Sequence, residues 1–118
     1  MALPDRDDEL LLLHNPRCSK SRAARALLEE RGVTFVERRY LEEPLTLEEL
    51  RELARRLGRP AREWARRNEA AWTLPADADD AAVLEAMAKE PILIERPILV
   101  RGRRAVVGRP PERVLELL

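Results

Sequence analysis

The apolar positions of this chain change period several times, and each change marks an element. Glu9 is followed by four leucines, so Glu9–Leu13 reads as a short strand buried on both faces. "NPRCSKS" then brings breakers and caps. Ala23, Ala24, Ala26, Leu27 and Leu28 carry a helix to about Glu30, with Ser19 or Ser21 as its N-cap and Gly32 as its stop. "VTFVERRY", from Val33 to Tyr40, is β-branched and aromatic and predicts a second strand. Strand, helix and strand within about 30 residues form a βαβ unit, with parallel strands and a right-handed crossover.

The segment "PLTLEELRELARRLG" moves to a helical period. Thr46 and Glu49 have capping-box spacing, and Leu47, Leu50, Leu53, Ala54 and Leu57 share one face. Gly58 and Pro60 punctuate it. Ala61 to Asn68 predicts a further helical turn or two, and Asp79–Lys89 a third helix closed by Pro91. "PILIERPILV" and "RRAVVG" bracket Arg101-Gly102 and predict a hairpin of Ile98–Val100 with Ala105–Val107. "RPPERVLELL" opens a last helix with proline near its first position. There is no repeat or linker, so residues 1–118 are expected to form one α/β domain with a helical insertion, and Met1 to Asp8 to fray.

Composition narrows the function. The 118 residues balance 22 cations against 22 acids, which argues against general nucleic-acid binding. Only Lys20 and Lys89 of the cations are lysines, so an arbitrary arginine is expected at the solvated surface. One cysteine and one histidine exclude an internal disulfide and a zinc cluster, so no metal is expected. The acidic start "MALPDRDDEL" is unlike a signal peptide, and no apolar run approaches the ~20 residues a membrane span needs. The expectation is a cytoplasmic protein with a reduced thiol and no membrane partner.

Cys18 is that thiol. It falls between the first strand and the first helix, where helix dipole and unpaired N–H groups favour a thiolate. His14, Arg17, Lys20 and Arg22 are near in sequence. The same loop offers backbone N–H groups to an oxyanion. Structural alternatives stand beside these readings: a small apolar cysteine against the core, a core histidine at His14, a helix cap at Ser21. The fourth position of "CSKS" is serine, so Cys18 lacks a second thiol in its motif, and a redox cycle must borrow one. Far along the chain, Arg96-Pro97 precedes a strand and is a candidate cis peptide. Thioredoxin-like βαβ…ββα folds place a cis proline there, facing the active thiol.

Taken together, these segments resemble the glutaredoxin-coupled arsenate reductase family, from about Leu11 to Leu118. "HNPRCSKSR" resembles its H-N-P-x-C-x-x-S-R signature, and "AREWARRN", "PILIERPILV" and "VVGRPPERVLELL" resemble the segments carrying its anion-binding arginines. The resemblance implies a thioredoxin-like mixed sheet and an oxidoreductase that turns arsenate into arsenite. Cys18 would form a thiolate–arsenate adduct, with His14 and Ser21 tuning the thiolate. Arg66, Arg96 and Arg109 would hold the oxyanion, beside Pro97. Glutathione would act as co-substrate, glutaredoxin would release arsenite, and no cofactor would be bound. Two other functions fit the same fold. A glutathione-dependent thiol oxidoreductase would keep Cys18 and Pro97 but need no convergent arginines. A regulator binding RNA polymerase would typically use a two-cysteine switch that "CSKS" lacks.

Overall fold

Among the described residues, 3–118 of the computed structural model, four strands and three α-helices follow one another. They are β1 (Leu10–Leu13), α1 (Ser19–Glu30), β2 (Val36–Arg38), α2 (Leu47–Leu57), α3 (Asp80–Lys89), β3 (Ile98–Arg101) and β4 (Arg104–Val107). Three-ten turns occupy Ala61–Trp64, Pro91–Leu93 and Pro111–Leu117. The sheet order is β2-β1-β3-β4, with β1 parallel to β2 and antiparallel to β3. This mixed sheet is the one expected from the βαβ…ββα pattern.

Register decides where the site lies. Leu13 stands opposite Arg38 of β2 and Ile98 of β3, and Ile98 opposite Val107 of β4. The residues after β1, β2 and β4 and the residues before β3 therefore meet at one end of the sheet. His14 to Cys18, Tyr40, Arg96-Pro97 and Arg109 all belong to those four segments.

The strand period of two divides the core. Leu11, Leu13, Ile98, Val100 and Val107 face α2 and α3, where they join Leu50, Leu53, Trp64, Val83 and Met87. Leu10, Leu12, Leu99 and Val106 face α1 and the last turn, where they meet Ala24, Leu28, Val114 and Leu117. That is why β1 is leucine at every position: helices cover both of its faces.

Helix ends follow local chemistry. Thr46 and Glu49 make both bonds of the capping box, and Gly58 closes α2 with a left-handed φ of 65°. Asp79 caps α3 by accepting from the Ala82 N–H. No described helix is long and apolar enough to cross a membrane.

Several expectations need correction. Met1 and Ala2 lie outside the described residues, but Leu3 to Asp8 do not fray. Leu3 is buried in the α2–α3 core, the Pro4 carbonyl accepts from Arg56, and the Asp7 carbonyl accepts from Arg101 at 2.7 Å. β2 holds three residues rather than eight. The helical turn after Ala61 stops at Trp64, because Ala65 is drawn into an antiparallel bridge with Ile94. The last helix is three-ten, and its three-residue period stacks Val114 and Leu117 on one inward face. Neither Ser19 nor Ser21 caps α1: Cys18 itself holds the N-cap position, with no side-chain bond.

Candidate active site

Cys18 ends a tight loop. Its N–H donates to the Asn15 carbonyl at 3.0 Å, and its own carbonyl accepts the first helical bond, from Arg22 N–H, at 3.0 Å. Its backbone is extended, φ −99° and ψ 124°, so the side chain stands before the open first turn of α1. Burial of the half-exposed thiol pushes its pKa up. Backbone N–H of Ser21, a hydrogen bond from Arg96, backbone N–H of Lys20 and the charge of Arg96 outweigh that and leave it below the usual cysteine value.

Ser21 meets the sulfur through its backbone, whereas its buried hydroxyl looks the other way. Ser21 Oγ accepts from Asn15 N–H at 3.0 Å and shares a 2.8 Å hydrogen bond with His14 Nδ1. Asn15 Oδ1 accepts from Arg17 N–H at 3.0 Å, which completes the turn. His14 is buried, and that burial lowers its pKa; Glu37 opposes the shift, and Arg25, Arg39 and Arg22 reinforce it. A neutral imidazole at physiological pH follows. The His14–Ser21–Asn15 set thus fixes the loop that presents Cys18. Arg22 donates to the Pro16 carbonyl and Arg17 is exposed, so both serve the loop's exterior.

Two of the candidate arginines reach the thiol. Arg109 Nη2 is 4.0 Å from Cys18 Sγ, while its Nε donates to the Arg96 carbonyl at 2.9 Å. Arg96 hydrogen-bonds the thiol, yet its buried Nε and Nη1 have no partner. It precedes Pro97 across a cis peptide bond; Arg109-Pro110 is also cis. Pro97 is buried against Gly108, whose N–H donates to the Pro97 carbonyl at 2.8 Å. A Cβ at Gly108 would lie 2.8 Å from Pro97 Cγ and 2.9 Å from Val114 Cγ1, so only glycine allows this approach.

Arg66 arrives indirectly. The Ala65–Ile94 bridge, with Arg66 N–H on the Leu93 carbonyl and Glu95 N–H on the Trp64 carbonyl, sets Arg66 beside Glu95. Glu95 Oε1 then joins Arg66 Nη1 at 3.4 Å to Arg109 Nε at 3.0 Å. Neighbouring Arg62 and Arg67 are exposed, and the fully buried Trp64 packs in the core.

Two residues of the site went unread in the sequence. Glu95 has no mark of its own among the 22 acids of the chain, and its place beside Arg96 is the one signal the sequence offers. Tyr40 is fully buried with its hydroxyl unpartnered. Burial raises its pKa to about 12, and the charges of Arg96, Cys18, Arg66 and Glu95 all act on it. Its unpaired hydroxyl and the two unpaired Arg96 nitrogens are the buried side-chain polar atoms left without a partner among the described residues. Such groups are costly unless something fills the need, and donors beside a thiolate suit an oxyanion. Among the described residues, no group of three or more His, Cys, Asp or Glu is arranged to hold a metal.

Comparison with known proteins agrees with this geometry. The ArsC family model matches residues 13–117. An arsenate reductase of Neisseria meningitidis serogroup A is 43% identical over 116 residues, covering 93% of this chain and 98% of its own. One from Haemophilus influenzae is 37% identical over 114 residues, covering 92% and 98%. The structure of an arsenate reductase from Vibrio cholerae superposes with a TM-score of 0.88 at 40% identity, covering 100% of both chains.

Proposed function

The chain belongs to the ArsC family, and from that premise we propose that it reduces arsenate to arsenite through a covalent adduct on Cys18, drawing electrons from glutathione and glutaredoxin. The observation that carries the reading is a cysteine of lowered pKa at the start of α1, with Arg109 Nη2 4.0 Å from the sulfur and Arg96 holding unpaired nitrogens. A thiol oxidoreductase of the same fold has no need of those guanidinium groups.

The thiolate attacks arsenic, and one arsenate oxygen takes protons and leaves as water. Arg96 and Arg109 neutralise the oxyanion, and Arg66 adds to them once freed from its carboxylates. Planar guanidinium groups suit a tetrahedral oxyanion better than a point charge would. Glutathione sulfur then bonds to arsenic, and glutaredoxin supplies the second thiol. Glutathione addition expels a second oxygen as water. The glutaredoxin thiol then attacks the glutathione sulfur, and the two leave as a mixed disulfide. The As–S electron pair stays on arsenic, so that As(V) becomes As(III), and water cleaves the Cys18–As bond to release arsenite and the free thiol. Ser21 at the fourth motif position explains why both thiols come from outside. The chemistry requires a reducing compartment, and the proposed setting is the cytoplasm.

The test is arsenate-dependent NADPH oxidation with glutathione, glutaredoxin and glutathione reductase. Cys18→Ser should abolish turnover, and Arg109→Ala should lower it by roughly a hundredfold, the typical cost of removing an oxyanion donor. Turnover in the wild type that survives omission of glutathione and glutaredoxin would remove that donor pair. Absent arsenate turnover, with rapid deglutathionylation of a disulfide substrate, would favour the thiol oxidoreductase.

A further inference from the structure

Glu95 Oε1 occupies a position an oxyanion oxygen would want: 3.0 Å from Arg109 Nε and 3.4 Å from Arg66 Nη1. A carboxylate oxygen held between two guanidinium groups makes the charge-assisted bonds an oxyanion would make there. The other nitrogens of Arg66, Nε and Nη2, both lie 2.9 Å from Glu69 Oε1. Each guanidinium nitrogen of Arg66 therefore already faces a carboxylate. Arg96 keeps Nε and Nη1 without partners, and Arg109 turns Nη2 toward the sulfur. The three arginines are not equally available. Arg96 is open, Arg109 is partly engaged, and Arg66 is closed.

The geometry points to Glu95 as an internal counter-anion that holds Arg66 and Arg109 in the resting protein and is exchanged for the oxyanion when substrate binds. This rests on the reading that an oxyanion binds beside Cys18. A permanent carboxylate would repel an entering dianion and would keep Nη1 of Arg66 occupied. A displaced one has somewhere to go: the Glu95 side chain is 23% exposed, whereas its backbone stays anchored on the Trp64 carbonyl at 2.9 Å. In the absence of substrate the carboxylate relieves the repulsion between neighbouring cations. Selectivity follows from the exchange. An anion displaces Glu95 only by making more bonds to the arginines than one carboxylate oxygen makes, which favours tetrahedral dianions over halide or nitrate.

Sulfate is the probe, because it is a tetrahedral dianion that does not react with thiols. Protection of Cys18 from iodoacetamide is measured against sulfate concentration, with each variant scaled to its own unprotected rate. Glu95→Gln should lower the half-protecting concentration by about tenfold, the equivalent of one charge-assisted hydrogen bond no longer in competition. Glu95→Ala should move it in the same direction, and Glu116→Gln, at the exposed Arg113–Glu116 pair, should leave it unchanged. An unchanged or higher half-protecting concentration in both Glu95 variants would make the carboxylate a fixed support and overturn the proposal, as would the absence of sulfate protection in every variant. Alkylation uses no reductant, so the coupled turnover assay decides the reductase reading separately.

Discussion

The reactivity of Cys18 has separable sources. Backbone N–H groups of Ser21 and Lys20 belong to the start of α1 and stay with any side-chain substitution, while the hydrogen bond and charge of Arg96 come from the segment before β3. The depressed thiol is a thiolate above its folded pKa and loses the charge as pH falls through that value. Arg96→Ala should therefore shift the midpoint of the iodoacetamide rate–pH profile upward, without reaching the value of a free cysteine near 8.5. A midpoint unmoved by the substitution would leave the helix start as the whole cause. The helix-start contribution was legible in "HNPRCSKSR", because strand, turn and helix are contiguous. The Arg96 contribution could be inferred only by resemblance, since 78 positions separate 18 from 96. Tyr40 was not legible at all: a tyrosine just past a strand carries no local mark of whether its hydroxyl will find a partner.

Elements in this protein are fastened by buried charge as well as by apolar packing. Arg38 at the end of β2 is almost fully buried, and its Nη1 and Nη2 lie 2.7 and 3.0 Å from the two oxygens of Glu49 on α2. The carbonyls of Glu43 and Pro44 accept from the same guanidinium. Glu49 also closes the capping box with Thr46, so one carboxylate ties the helix start to the strand. Burial raises the Glu49 pKa, but Arg38 and the Thr46 N–H outweigh it and hold it below the ordinary value of 4.5. The pair's contribution is complete above that value and is lost as pH falls through the lower folded-state one. Glu49→Gln should cost about 3 kcal/mol at neutral pH, because it removes the nearer carboxylate from a buried cation and leaves Glu43 Oε2 at 3.9 Å from Arg38 Nε. The gap to wild type should narrow in urea melts taken below pH 4.5. A constant gap across that range would show that packing, not charge, was lost. The capping box itself could be read from T-x-x-E. Its second duty to Arg38 could not, because nothing local makes a strand arginine turn inward.

Across the whole molecule, two apolar layers enclose the sheet, and the chain start completes one of them. Leu3 joins the α2–α3 layer, and Arg56 and Arg101 fasten the carbonyls of Pro4 and Asp7. Leu3→Ala should lower stability by about 2 kcal/mol, at the low end for a buried leucine because a chain end relaxes easily. Urea unfolding should show a lower midpoint with an unchanged slope, and Cys18 alkylation should keep its rate. An unchanged midpoint would mean the segment adds no stability. The sequence by itself determined what contiguous residues can determine. An unbroken run of leucines made β1, the T-x-x-E spacing and Gly58 bounded α2, and a strand–turn–helix put Cys18 at a helix start. Tertiary structure alone decided the partners. Strand register brought Arg96 and Arg109 to the sulfur, the Ala65–Ile94 bridge set Arg66 against Glu95, and burial left Tyr40 without a hydrogen bond. The physical reason is that capping and periodicity act within a turn or two of chain, whereas charge pairing and desolvation depend on distances in space that only the folded sheet fixes.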